Sequence, residues 1–454
     1  MKGRKNVEIT EKKTKFGIIL PIVLISYFLI LLNNSLVFTS TVQISQELHM
    51  SNVMVSWVSN AYALTFGGFL SLGARLGDML GRRKVLLIGL IVFTVASLLV
   101  GISLNSGMLI AMRALQGVGG AFLAPATLAL LMDYYQGKQL TQAIAYYGAT
   151  AGIGSSLGLI VGGIISSYST WRNGFYLDMI MGFILIFMSL KYVHPTQELD
   201  TDSKIDWWGA ITSVIGFSSL VYSINATSFR TTAIILTIVS LVAFVLIERK
   251  VENPLMPLVI FKDNQRASAL VARFFMLGIS MSYFFLMPQA MQKVFGMTPL
   301  IAAIGFLPLT VVQFIISLFV AKLTFKYSNA LVLFVGAILD TAGLILGAIL
   351  GIGSGYVIGV AIPMVLIGLG QGLLMSPMTV AGVAGVDDDI AGAASGVVNT
   401  VHQIGGAVGL SIVSGLVASI SAPALSIDRA QFWMVILAIP MILAAINIFH
   451  GPHE

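Results

Sequence analysis

Cysteine is absent from all 454 residues, so the chain has no disulfide, no thiolate metal ligand and no cysteine nucleophile. Charge is nearly as scarce: Asp, Glu, Lys and Arg together make up 10% of the sequence, against about 25% in an ordinary soluble domain. No P-loop, zinc-ligand spacing or nucleophile elbow occurs, which leaves no internal nucleotide-hydrolysis site and implies no metal or other cofactor. What the chain does have is apolar surface, 57% of residues being hydrophobic with a mean hydropathy of +0.94. Water is not the solvent for most of such a chain.

Cutting at polar, charged and Gly/Pro breaks gives apolar segments near 16–40, 54–74, 85–103, 107–132, 140–165, 174–192, 206–226, 231–247, 267–289, 299–320, 330–350, 356–378, 392–418 and 431–449. Lipid offers no partner to a backbone amide and the alternation of barrel strands is missing, so each segment is expected to be a spanning helix. The first follows a polar, basic start without a small-residue cleavage site and reads as a retained span, not a signal peptide.

Placing the N-terminus inside puts nineteen Lys and Arg residues in cytoplasmic pieces and four outside, namely Arg172, Arg230, Lys293 and Arg429. That asymmetry predicts both termini in the cytoplasm. It also accounts for the net charge of +6 without a nucleic-acid partner. The longest polar interruptions, 193–205 and 248–266, set two spans apart from six on either side. The expected organisation is therefore a tail (1–15), a six-helix bundle (16–192), a linker carrying two extra spans (193–266), a second six-helix bundle (267–449) and a short tail (450–454). A faint internal echo, Gly117 to Gly120 in span 4 against Gly368 to Gly372 in span 12, is consistent with two related halves.

The most specific stretch is GARLGDMLGRRK (73–84), between spans 2 and 3. Gly73, Gly77 and Gly81 permit close helix approach, Asp78 suits a helix terminus, and Arg82 and Arg83 add charge to the same loop. The segment resembles the signature loop of the major facilitator superfamily. LIAMRALQGVGGA (109–121) resembles that family's motif with a membrane-embedded arginine, here Arg113, followed by Gln116. YGATAGIGSSLGLIVGG (147–163), with Gly148, Gly152, Gly158 and Gly162, is similar to the glycine-rich fifth helix of its antiporters. TWRNGFYLD (170–178), KIDWWGA (204–210), ENPLMPLVIF (252–261) and SGVVNTVHQIGGAVG (395–409) extend the likeness to the fourteen-span drug/proton antiporters. The resemblance implies an all-α integral membrane protein, arranged 6 + 2 + 6, that exports lipophilic and often cationic drugs and dyes in exchange for protons by alternating access. The short loops fit a bacterial cytoplasmic membrane, and the chain is expected to be a monomer.

Three departures bear on the coupling site. Where that branch often has an aspartate in span 1, this chain reads Leu32-Asn33-Asn34-Ser35. Where span 6 usually has asparagine it has Asp178, and span 5 reads Gly158-Leu159 in place of Gly-Pro. One carboxyl has gone and another has appeared. Ionisable residues inside spans are costly and so mark function by default. Asp340, near the middle of span 11, is the first candidate for proton binding and Asp178 the second, with Arg113 as modulator and His402 as a further titratable group. Each also reads as a structural, hydrogen-bonded residue: Asp178 as an interfacial anchor, Arg273 as a side chain snorkelling toward the cytoplasm. Asp387-Asp388-Asp389 reads as a solvated loop, not a metal site. For the wall of a substrate cavity the candidates are Asn33, Asn34, Trp57, Tyr62, Gln116, Tyr146, Phe284, Phe285, Asn399 and Gln403. The apolar segment 16–40 has no glutamate, which sets the chain apart from proton-driven peptide importers. An importer, and a receptor of the same fold that binds without transport, remain the other readings.

Overall fold

The computed structural model describes residues 16–195, 206–226, 228–252, 254–386 and 391–451. Among these there is no strand. Fourteen helices are long and apolar enough to span a membrane, and each takes the number of its span: α1 (Ile19–Glu47), α2 (Asn52–Leu80), α3 (Arg82–Gly101), α4 (Ser106–Tyr134), α5 (Gly137–Tyr168), α6 (Arg172–Tyr192), α7 (Trp207–Asn225), α8 (Arg230–Glu248), α9 (Asn264–Phe295), α10 (Pro299–Tyr327), α11 (Asn329–Leu350), α12 (Val357–Val383), α13 (Gly392–Leu416) and α14 (Pro423–His450). Several outrun the apolar segments that predict them. The 32 residues of α9 make a rod of about 48 Å at 1.5 Å per residue, so its polar ends extend beyond a hydrocarbon layer of about 30 Å.

Local sequence sets the helix ends. Ser51, Asn105, Asp206, Asp263 and Ser328 each accept a hydrogen bond from a backbone N–H of the first turn they precede. Gly81 separates α2 from α3 at φ +87°, in the region that favours glycine. α10 breaks at Phe306, just before Pro308, into Pro299–Gly305 and Leu307–Tyr327, because proline cannot supply the N–H that would continue the ladder.

Helices α1 to α6 pack on one another, as do α9 to α14. Glycine makes the tightest crossings. An added Cβ on Gly119 would lie 2.6 Å from the Phe93 backbone nitrogen, and one on Gly278 would lie 3.1 Å from Gly409 Cα. The echo between α4 and α12 has a packing meaning. Gly117 and Gly119 face α2 and α3, while Gly368 and Gly370 face α10 and α11, so both helices use glycine against the same two predecessors. α7 lies on the seam where α2 meets α13, and Asn225 Nδ2 donates to the Ser411 carbonyl at 2.7 Å. α8 packs on α7 and turns most of its surface outward.

Candidate functional site

Between the two sets of six helices lies a cavity of about 1210 Å³. It reaches from Asn34 of α1 and Gln371 of α12 to Asp78, Glu252 and Pro254, so it opens on the face carrying the α2–α3 and α8–α9 loops. Phe16, the first residue described, packs against Tyr135 and Tyr146 of the α4–α5 corner, which puts the start of α1 on that side as well. At the opposite face the halves meet: Leu300 N donates to Ser167 Oγ at 2.9 Å, and the Phe38 and Phe284 rings stand 5.9 Å apart. One mouth is open and the other closed.

The wall has an aromatic floor on its N-terminal side. Tyr27 and Tyr147 stack with centroids 4.0 Å apart and planes at 11°, and both line the cavity. Asn34, Asn399, His402 and Gln403 also line it, as do Gly148 and Asp78. The other residues expected in the wall lie elsewhere. Tyr146 is half exposed and off the cavity, because one step along a helix turns a side chain by about 100°, which brings Tyr147 inward instead. Trp57 packs toward Tyr222 of α7. Phe284 lies between Phe38 and Phe306, and Phe285 is buried in the core of the C-terminal half. Apolar character alone does not distinguish a cavity wall from a helix contact, hence the mismatch.

Asn33, Tyr62 and Gln116 are absent from the wall for a more informative reason: they belong to a buried polar cluster in the N-terminal half. Arg113 Nη1 donates to Asn33 Oδ1 at 2.5 Å and to Gln116 Oε1 at 2.6 Å, and Arg113 Nε donates to the Val58 carbonyl at 2.8 Å. The guanidinium also lies over the Tyr62 ring, 4.6 Å from its centroid. Asn33 Nδ2 donates to Asp178 Oδ2 at 2.6 Å, and Gln116 passes the chain on to Ser97 Oγ at 2.7 Å. Asp178 is fully buried, and its Oδ1 has no partner. It is therefore not an interfacial anchor. It stands at the end of an arginine–amide–carboxyl chain assembled from α4, α1 and α6.

Asp340 is also fully buried and off the cavity. Its carboxyl lies against the Gln371 side chain, and the backbone of α11 at this point presses on Gly370 of α12. Gln371, the next residue, lies in the cavity wall, so the carboxyl sits one layer behind it. Arg273 does not snorkel. It is 4% exposed; its Nη1 donates to Thr379 Oγ1 at 2.8 Å, and its Nη2 stands 3.2 Å from His402 Nδ1. Helix position alone suggested an escape to the interface, but neighbouring polar groups hold the guanidinium where it is. Sequence reading missed this pair, and the only signal was that both residues are rare inside spans.

In the 73–84 segment, Arg82 bridges to Asp133 of α4 and donates to the Ala129 carbonyl at 2.9 Å, with Asp78 3.8 Å away. Arg83 Nη2 donates to the Leu190 carbonyl at 2.8 Å. The segment thus ties the start of α3 to the ends of α4 and α6. Gly73 takes the close crossing with α4 at Ala121, whereas Gly77 meets only Arg82 Cγ at 3.9 Å. On α5, Gly158 meets Ser35 and Leu32, and Gly162 meets Leu36 and Thr39, which makes a glycine face against α1. Gly148 faces open space, and the surroundings of Gly152 and the triplet Asp387–Asp389 lie outside the described residues.

A family model described as Major Facilitator Superfamily matches residues 23–410. The chain belongs to the major facilitator superfamily. This makes it a multi-pass transporter of the cell membrane and not an enzyme. Its relatives include a puromycin resistance protein of Streptomyces alboniger, 31% identical over 87% of this chain and 80% of that one. A cephamycin export protein of Amycolatopsis lactamdurans is 29% identical over 91% and 87%, and a multidrug transporter protein of Bacillus subtilis is 26% identical over 89% and 76%. Among solved structures, a nucleoside transporter superposes with a TM-score of 0.70 at 12% identity, covering 95% of this chain and all of that one. At that identity the likeness speaks to the fold alone.

Proposed function

We propose that this superfamily member exports lipophilic small molecules across the bacterial cytoplasmic membrane in exchange for protons. The antibiotic and multidrug exporters among its relatives support efflux. The observation that carries the coupling is the buried chain from Arg113 through Asn33 to Asp178. A carboxyl that shares an amide with a fixed cation has two stable arrangements, neutral when it holds a proton and paired through the amide when it does not. Asn33 lies beside Asn34, and Asn34 is in the cavity wall, so the cluster adjoins the inner end of the substrate path.

The cavity mouth is on the side of the basic loops, which the charge asymmetry assigns to the cytoplasm. In that inward-open arrangement a compound enters from the cytoplasm or inner leaflet. Closure of this mouth and opening of the Leu300–Ser167 face would complete export, with the Gly158 and Gly162 face of α5 against α1 among the surfaces that move. A membrane potential contributes about 2.3 kcal/mol per charge per 100 mV, which drives export when more charge enters as protons than leaves with the drug.

Proteoliposomes decide this. With an imposed pH gradient, a fluorescent lipophilic dye and a lumenal pH reporter, dye flux should depend on the gradient with protons moving the opposite way. Dye movement that ignores the gradient removes the proton coupling; protons and dye moving together turn the protein into an importer.

A further inference from the structure

The wall contributed by the C-terminal half carries a cation that no carboxylate among the described residues pairs with. Arg273 lines the cavity about 14 Å along α9 from Asn264, counting 1.5 Å per residue. Its guanidinium has five N–H groups. Acceptors are in place for three: Thr379 Oγ1 at 2.8 Å, the Met375 carbonyl at 3.5 Å and His402 Nδ1 at 3.2 Å. Nε is without a partner. Among the described residues no carboxylate comes within ion-pair distance of it. The imidazole beside it cannot serve as counter-ion, because arginine only donates, so Nδ1 must be the accepting nitrogen and the ring proton belongs on Nε2.

Another buried polar group of the same wall, Thr310 Oγ1, stands unpartnered on a residue 4% exposed. The carboxylates that line the cavity lie toward its mouth. Asp78 is near Arg82, Asp206 caps α7, and Glu252 sits in the α8–α9 loop. Deeper in, Asp178 and Asp340 are both set back from the wall. A buried, unpaired cation is costly, and donors left idle around it add to that cost. A ligand bearing the opposite charge would remove both.

We propose that the cavity binds amphiphilic solutes through an acidic group, a carboxylate held by Arg273 with the Thr310 hydroxyl on the same wall, while the apolar body rests on the Tyr27–Tyr147 stack. This rests on the cavity being the substrate site, and it departs from the cationic preference that the family resemblance implies. An embedded arginine repels a cation that has no carboxylate of its own to meet.

The test uses three fluorescent ligands on one scaffold: dansylglycine, its neutral amide, and a dansyl quaternary ammonium of matched length. Each is titrated against the full-length protein in phosphatidylcholine nanodiscs, in wild type, Arg273→Gln and Arg273→Lys. Wild type should bind the carboxylate roughly tenfold more tightly than the ammonium, equivalent to about 1.4 kcal/mol. Arg273→Gln should abolish that preference; Arg273→Lys, which keeps the charge but loses the planar fork, should retain part of it. If Arg273→Gln does not fold, several-fold weaker carboxylate binding in Arg273→Lys with ammonium binding unchanged supports the same conclusion, and no change in either overturns it.

Equal affinities in wild type, or a preference that survives Arg273→Gln, overturn the proposal. The cavity reading then stands if the neutral amide still binds and is excluded by Gly148→Trp, which fills open space in the wall. If none of the three ligands binds wild type, both readings fall. Adding phosphatidylglycerol separates the two sources of an acidic group: undiminished dansylglycine binding supports a solute, and displacement assigns the site to a lipid headgroup and overturns it.

Discussion

Asp178 Oδ2 accepts a hydrogen bond of 2.6 Å from Asn33 Nδ2, joining α6 to α1 inside the N-terminal half. The same Asn33 turns its oxygen to Arg113, so one amide is wedged between a guanidinium and a carboxyl, and its O and N assignment follows from those partners. The aspartate that the resemblance leads one to expect in span 1 is missing there, yet a carboxyl is present one hydrogen bond away on another helix. We propose that the exchange of Asn and Asp between α1 and α6 is a relocation within one cluster.

The relocation is testable by reversal. Asp178→Asn should fold with stability within about 1 kcal/mol of wild type, since the substituted amide still accepts from Asn33, and should lose proton-driven dye efflux. The double variant Asn33→Asp, Asp178→Asn puts a carboxyl directly on Arg113 and should restore part of the coupling in proteoliposomes. Full coupling in Asp178→Asn would remove the cluster from the mechanism.

Asp340 should behave differently. Its carboxyl is buried against the Gln371 side chain, and Asp340→Asn keeps an acceptor there while removing the ionisable proton. Its stability, followed by tryptophan fluorescence on heating, should stay within about 1 kcal/mol of wild type, with exchange retained. A folded Asp340→Asn protein that no longer couples dye to protons would move the coupling site into the C-terminal half.

The two ends of the α5 glycine series should separate. A Cβ on Gly158 would sit 2.7 Å from Ser35 Cβ, whereas one on Gly148 meets nothing within 4 Å. Gly158→Val should therefore cost about 1–3 kcal/mol by forcing α1 and α5 apart and should slow transport. Gly148→Ala should leave stability within about 0.5 kcal/mol. Equal melting temperatures for the two variants would mean that the α1–α5 contact is looser than the structure has it.

Orientation can be read chemically, since the native chain has no cysteine background. Asn399→Cys, exposed in the cavity wall, should react quickly with a membrane-impermeant maleimide in inside-out vesicles and slowly in right-side-out cells. Ser35→Cys, buried against α5, should be slow in both. Faster labelling of Asn399→Cys from the outside would invert the topology.

Sequence by itself determined the number of helices, their membrane setting and the family, because these depend on long apolar runs and on a loop motif whose spacing is local. It also flagged Asp178, Asp340, Arg113 and His402, because an ionisable group in lipid is rare enough to stand out singly. Which of them meet was decided only by the tertiary structure. Asn33, Arg113 and Asp178 lie on three helices whose rotations no single helix specifies, and one residue of rotation separates Tyr147 in the wall from Tyr146 outside it. The position of Arg273 along its helix is legible in the sequence and points to snorkelling, but its partners Thr379 and His402 lie more than a hundred residues away. Lipid fixes that the helices form; the close crossings at glycine fix how they turn, and that turning selects the residues that face the cavity.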